Sequence, residues 1–384
     1  MPRFLPTLTV PLLALLVSGV RADIRTYTQL WQIGGYSLAD LDELQFPLSE
    51  LSTPAQARRN PALISGADGW GISLAHQFQT GEARNTTIRA MPRADPWLPA
   101  EAALRGWAGP VALCAAWEQR YNSHEQALVT TAADTVGTWQ DWNARVERWN
   151  FQAAWQALAP CCNRPGLRLG AGVNRNSLRV DQVELQRFLG VWGWQVGARA
   201  ELRRATLAVG WESSVLYNHS APVHFNRYSS RLDTVQVLGR LPQTLHMQLG
   251  YVPRSGWSLD LALRYYFWGE QVLGYTWNEE TQLYQEERLR DRMEFGLAAH
   301  HGLPGGLNWQ AGLCSSGSDP VRNSWLEGQF GSGKNTLFLL GGVSVPLGPV
   351  QLDVKVADSH LGPGAYRKQT IAQVGISATL PGVR

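Results

Sequence analysis

What most restricts the fold of this chain is a set of long stretches in which apolar and polar residues alternate. The clearest is WSLDLALRYYFW, Trp257 to Trp268. Its odd positions carry Trp257, Leu259, Leu261, Leu263, Tyr265 and Phe267; its even positions carry Ser258, Asp260, Ala262, Arg264, Tyr266 and Trp268. A repeat of two marks a strand whose successive side chains face opposite sides. Here one side is apolar and the other is mixed and charged. VALCAAWEQRY, RLGAGVNRN, WGWQVGARAEL, VQLDVKVAD and IAQVGISATL repeat the pattern. Such runs are about 9 to 13 residues long, whereas strands of water-soluble domains average about five or six and a tilted strand crossing a bilayer needs about 9 to 11.

Aromatic residues gather at the ends of these runs, as at Trp257, Phe267 and Trp268, or at Trp149 and Trp155. Two such girdles mark the interfaces of a membrane-spanning sheet. The sequence therefore predicts an all-β transmembrane antiparallel barrel of about fourteen strands, apolar face toward lipid, with Asp260 and Arg264 in the lumen. Closure is obligatory, because an open strand edge in hydrocarbon leaves N–H and C=O groups unpaired.

The predicted strands cover 69–79, 84–92, 109–121, 149–159, 167–178, 189–202, 205–215, 243–252, 256–269, 288–300, 306–315, 334–346, 349–358 and 370–380. One set of connections is short, at Arg203-Arg204, Pro253 to Ser255, His301 to Gly305 and Leu347-Gly348. The other is long, at 122–148, 216–242, 270–287, 316–333 and 359–369. Short periplasmic turns and long outer loops are the habit of outer-membrane barrels. The stretch 93–108 breaks this habit, being long where a turn is expected; it holds either a small helix or a mis-assigned strand.

The N-terminus, MPRFLPTLTVPLLALLVSGVRA, has a basic start at Arg3, an apolar core from Phe4 to Val17 and a small-residue cleavage site near Ala22. It reads as a secretory signal peptide over 1–22. Residues 23–66 are too few for a core of their own, yet carry Trp31, Leu38, Leu41, Leu44 and Phe46, and are expected to fold back into the lumen as a plug. The barrel is expected over 67–384.

A formal net charge of +3 gives no support for nucleic-acid binding. Four cysteines, Cys114, Cys161, Cys162 and Cys314, have no metal-site spacing and are too few for a disulfide scaffold. GQFGSGKN, Gly328 to Asn335, has the outline of a phosphate loop, but Asn335 replaces the magnesium-binding hydroxyl and a strand follows instead of a helix; a glycine-rich outer loop fits better. His300-His301 lacks a third ligand by spacing and reads as polar rim. No catalytic residues, metal site or cofactor are expected.

Two stretches carry a family resemblance. RRNPALIS, Arg58 to Ser65, resembles the N-terminal NPA signature of the FadL/TodX family of outer-membrane hydrocarbon transporters. LPQTLHMQLGYVPRSGWSLDLALRYYFW, Leu241 to Trp268, resembles that family's strand–turn–strand opened by Leu-Pro, and DRMEFGLAAHHGLPGGLNWQAGLCSS, Asp291 to Ser316, resembles its next strand pair. The resemblance implies a fourteen-stranded barrel with an N-terminal hatch, in which Asn60, Pro61 and Ala62 are hatch residues. It implies passive uptake of long-chain fatty acids or hydrocarbons across the outer membrane of a Gram-negative-type bacterium, with outer-membrane lipid and the barrel-assembly machinery as partners. A secretion-associated or docking barrel of the same family is the alternative. One departure is the C-terminus, ATLPGVR, which lacks a terminal aromatic; Leu380 is expected to close the last strand and 381–384 to be a tail.

Within this frame the Asn60 amide is expected to hydrogen-bond the wall. Trp139 and Trp142, in loop 122–148, are candidates for an apolar landing groove. Arg120, Arg199 and Arg264 are candidates for holding a carboxylate head group, with mutual pairing among lumen charges as the competing use.

Overall fold

A computed structural model gives the fold. It describes residues 59–64, 69–83, 88–91, 101–129, 138–160, 165–181, 190–224, 232–267, 272–278, 283–288, 291–316, 336–360 and 367–381. The signal peptide, most of the expected plug and the stretch Gly328 to Asn335 lie outside the described residues.

Strands are numbered in chain order. The first eight are β1 (Gly69–Ala83), β2 (Ile88–Met91), β3 (Glu101–Ala108), β4 (Val111–Val129), β5 (Thr138–Leu158), β6 (Gly166–Asp181), β7 (Val191–Glu201) and β8 (Ala205–Glu212). Then come β9 (Val215–His224), β10 (Leu232–Leu241), β11 (Thr244–Arg254), β12 (Trp257–Tyr266), β13 (Val272–Asn278) and β14 (Leu283–Arg288). The last five are β15 (Arg292–Gly302), β16 (Asn308–Ser316), β17 (Thr336–Leu347), β18 (Val350–Asp358) and β19 (Arg367–Pro381).

Fourteen of these strands close into one antiparallel barrel, in the order β1, β3 to β8, β11, β12 and β15 to β19, and β19 returns to β1 along a seam from Gly69–Pro381 to Ala83–Arg367. The other five are accessories. β2 pairs with the far end of β4, while β9–β10 and β13–β14 are separate hairpins within the long connections.

The lipid face is apolar. Leu207, Leu249, Leu261, Leu297, Leu313 and Leu339 are successive cross-strand partners from β8 to β17, forming a leucine belt round nearly half the barrel. On β12 the alternation is as the sequence predicts: Leu259 and Leu261 are exposed, while Ser258 and Asp260 are buried. The short turns that join successive barrel strands directly lie at one end. Gly109 and Gly348 take φ of +57° and +67° there, a conformation that other residues adopt at a steric cost.

Three expectations need correction. The second barrel strand is β3, not 84–92; the described residues of the latter, Ile88–Met91, form a short strand outside the barrel. The outward positions of β3 include Gly106, which has no side chain to signal a lipid face. Trp70 of neighbouring β1 covers it, its ring so close that a Cβ on Gly106 would stand 2.9 Å from it. The long stretch 93–108 thereby ends in a tight turn at Gly109-Pro110, and the sidedness of the connections becomes regular. Second, most of 122–148 is strand: β4 and β5 continue as a paired hairpin as far as Val129–Thr138. Third, the closing strand runs to Pro381 instead of stopping at Leu380. A proline can end a ladder because it has no N–H to pair.

Candidate functional site

The site is the inner wall of the barrel together with residues 59–64 inside it. Asn60 precedes a proline and is extended, with φ −132° and ψ 101°, as the clash with the proline ring dictates. Pro61–Leu63 then makes one 3₁₀ turn, closed by Leu63 N–H donating to Asn60 O (2.9 Å) and Ile64 N–H donating to Pro61 O (3.2 Å). The Asn60 side-chain oxygen accepts from Ala62 N–H at 3.0 Å. All five residues from Asn60 to Ile64 are buried, packed on β5, β6, β7 and β8. Ile64 enters a small apolar notch of Ala103, Ala112, Cys114, Ala116 and Ala154.

The expected bond from the Asn60 amide to the wall is thus replaced by a different one. The Asn60 oxygen serves its own turn, and the wall grips the segment through Arg168, whose Nη1 donates to Ile64 O at 2.9 Å. Arg168 is itself steadied by Gln156 Oε1 (3.0 Å), by Glu201 (3.8 Å) and by the face of Trp107, 4.9 Å from its guanidinium carbon. Arg199 shares Glu201, at 3.2 Å.

Farther toward the outer loops the same side of the wall carries a buried charge cluster. Arg148 of β5 lies 2.9 Å from Glu212 of β8 and 3.7 Å from Glu118 of β4, and Asn150 Nδ2 donates to Glu118 at 3.3 Å. Each of the three charged side chains is at most 3 % exposed. Around the barrel, Arg264 lies 3.6 Å from Glu294, which also accepts from Tyr266 Oη at 3.1 Å, and His300 lies 3.2 Å from Asp260.

The wall across β15 to β18 is different. Ala298, Cys314, Phe338, Leu340 and Ala357 are buried there. They form a ladder: Leu340 is the partner of Ala357 and of Gly312, Gly312 of Ala298, and Phe338 of Cys314. The lumen therefore has one polar, charge-paired flank and one apolar strip.

No protein-family model matches the sequence, and no curated protein matches it. Solved structures do match. The toluene transporter TbuX of Ralstonia pickettii superposes with a TM-score of 0.56 at 13 % identity, over 93 % of this chain and 99 % of that one. A FadL homologue of Pseudomonas aeruginosa gives 0.60 at 11 % identity, over 85 % and 94 %. The monoaromatic hydrocarbon channel CymD gives 0.53 at 14 % identity, over 91 % and 98 %. This chain has the FadL-type fold.

In this FadL-type barrel the sequence-selected residues fall in different places. Asn60, Pro61 and Ala62 lie against the wall as described. Arg199 and Arg264 face the lumen and are each paired to a glutamate. Arg120 lies at the bulge of β4 between Gln119 and Tyr121, and its side chain is outside the described residues. Trp139 and Trp142 belong to β5 opposite Leu128 and Glu125, on the extended hairpin instead of in a loop, and their side chains too lie outside the described residues. His300 and His301 point to opposite faces: His301 stacks on Trp257, with ring centres 4.5 Å apart. Cys114 and Cys314 are buried wall thiols, outside any disulfide. The apolar strip was missed. Its signal is TLFLLGG in β17, a run apolar on both faces where a lumen-facing strand should alternate.

Proposed function

We propose that this protein is an outer-membrane channel for passive uptake of hydrophobic compounds, plugged by its N-terminal segment. The observation that carries the reading is the apolar strip of Ala298, Cys314, Phe338, Leu340 and Ala357 on the lumen wall, which includes the large side chains Phe338 and Leu340. Solved barrels of the same fold are named toluene transporters and monoaromatic hydrocarbon channels, which favours small hydrocarbons, with long-chain fatty acids the larger members of the same class. Capture is by burial of apolar surface at about 25 cal/mol per Å². The driving force is mass action.

In this reading residues 1–22 are a signal peptide, 23–66 form the hatch and Asn60, Pro61 and Ala62 are its seated end. Trp139 and Trp142 stand on the outward hairpin where a ligand first lands. Arg120, Arg199 and Arg264 are the candidates for a carboxylate head group, and Arg199 and Arg264 also pair with wall glutamates. Outer-membrane lipid surrounds the leucine belt, and the barrel-assembly machinery inserts the chain.

The test is uptake of radiolabelled toluene and radiolabelled oleate by bacteria whose outer membrane otherwise excludes them. Cells with the wild-type barrel should accumulate label several-fold faster than cells without it, and Leu340→Gln should remove most of the gain at unchanged barrel abundance. Equal uptake with and without the barrel contradicts the reading.

A further inference from the structure

Three glycines stand in line where the segment 59–64 meets the wall. Gly170 of β6 is the register partner of Gly197 of β7, and Gly197 is that of Gly210 of β8. The line continues through Ala154 of β5 to Ala112 of β4. On this one level of the lumen, five successive strands present nothing larger than a methyl group. The neighbouring levels carry larger side chains: Gln156, Arg168 and Arg199, ending at Ala208, toward the short turns, and Gln152, Gln195 and Glu212 toward the outer loops, where Gln152 and Gln195 close over the intervening Gly172. Between those two rows runs a groove whose floor is largely bare backbone.

The segment fills this groove. A Cβ on Gly170 would collide with Ala62 N and stand 2.5 Å from the Pro61 carbonyl carbon. One on Gly197 would collide with Asn60 Oδ1 and stand 2.7 Å from its Cγ. One on Gly210 would stand 2.9 Å from Asn60 Cβ and 3.0 Å from Arg59 O. Glycine inside a strand weakens it and marks a close approach of another backbone. The segment is the backbone that approaches.

We propose that the row Gly170, Gly197, Gly210 is a receptor groove shaped to Asn60-Pro61-Ala62, and that seating there, latched by Arg168 on the Ile64 carbonyl, sets the closed state of the lumen. The sequence of the segment fits a groove without side chains. The Asn60 side-chain oxygen needs no donor from the floor because it already accepts from Ala62 N–H. Pro61 fixes the extended entry without a donor to satisfy. Ala62 is fully buried and leaves no room for a longer side chain. The closed-state half of this inference rests on reading 23–66 as a plug; the groove itself does not.

The experiment uses the full chain in three variants. Gly197→Ala fills the groove. Ala62→Leu enlarges the segment without touching the strand ladder, so the test survives if Gly197→Ala fails to fold. Gly375→Ala is the control: it adds a methyl to the inner wall away from the segment, where the nearest atom is Ala75 Cβ at an ordinary 3.5 Å. Two readouts are taken on barrels shown to be folded by heat-modified electrophoresis. One is hydrogen exchange of the peptide covering 59–64; the other is leakage of small sugars from liposomes. Gly197→Ala and Ala62→Leu should each speed exchange of that peptide at least several-fold and raise leakage several-fold, and Gly375→Ala should do neither. Fast exchange with unchanged leakage keeps the groove and overturns the closed-state role, and with it the plug reading. Unchanged exchange in folded Gly197→Ala and Ala62→Leu overturns the groove.

Discussion

The two flanks of the lumen differ in what stands at their centre: a cluster of paired charges on one, a strip of apolar side chains on the other. From β4 to β8 the wall is small at one level and polar above and below it, and its charges are matched among themselves: Arg148 with Glu118 and Glu212, Arg168 and Arg199 with Glu201. From β15 to β18 it offers an apolar strip of Ala298, Cys314, Phe338, Leu340 and Ala357, bordered by polar residues such as Glu294, Gln310, Ser344 and Asp353. Directional bonds hold a fixed object in one pose, and the first flank holds residues 59–64 in that way. An apolar surface makes no directional demand, so a molecule without polar groups can slide along it. On the proposed function, holding and passing fall to different strands of one ring, and the flanks should respond differently to mutation.

The largest loss of stability is expected on the holding flank. Arg148→Met leaves Glu118 and Glu212 buried without their cation, and should cost about 3–5 kcal/mol of unfolding free energy. Urea unfolding in detergent measures it. Adding Glu118→Gln and Glu212→Gln should recover most of the loss, since the penalty lies in the stranded charges; no recovery would mean that Arg148 acts by packing alone.

On the lipid face, Leu261→Arg in the leucine belt should cost about 2–4 kcal/mol and reduce the folded fraction in membranes, whereas Ala262→Ser one position along should change little. Comparable damage from the two would contradict the facing of β12. On the passing flank, Leu340→Gln should cut hydrocarbon uptake several-fold with a smaller effect on thermal stability than Arg148→Met. If the order of the two were reversed, the division between flanks would fail.

The smallest effect is expected at the segment itself. Asn60→Ala removes a cap of the kind worth about 0.5–2 kcal/mol. The loss is local to Pro61–Ile64, so hydrogen exchange there should rise while the barrel's melting temperature stays constant.

The legibility of these features in the sequence follows where each strand has two unlike environments. On β12, lipid meets lumen, and Leu259, Leu261 and Asp260 declare their faces. Beyond the bilayer both faces of the β4–β5 hairpin leave the hydrocarbon, so NSHEQALV and TWQDWNARVER lose the contrast and read as loop although the hydrogen-bonded ladder continues. β3 escaped because Gly106 borrows its lipid cover from Trp70. At the site, the NPA residues were visible as a short motif and the segment's burial was expected. The groove beneath it was not, because Gly170, Gly197 and Gly210 become a row only once three strand registers are known. The Arg148–Glu212 pair likewise depends on which strands the curved wall brings together.

The most direct measurement is the identity of what the barrel carries. Wild-type protein, extracted in a mild detergent and washed, would be analysed by mass spectrometry for bound small molecules beside Leu340→Gln and beside an unrelated barrel prepared identically. The expected result is a hydrocarbon or fatty acid retained by the wild type in near-stoichiometric amount, clearly reduced in Leu340→Gln and absent from the unrelated barrel. Equal retention by wild type and Leu340→Gln, or no apolar compound above the unrelated barrel, would contradict a hydrophobic route along β15 to β18.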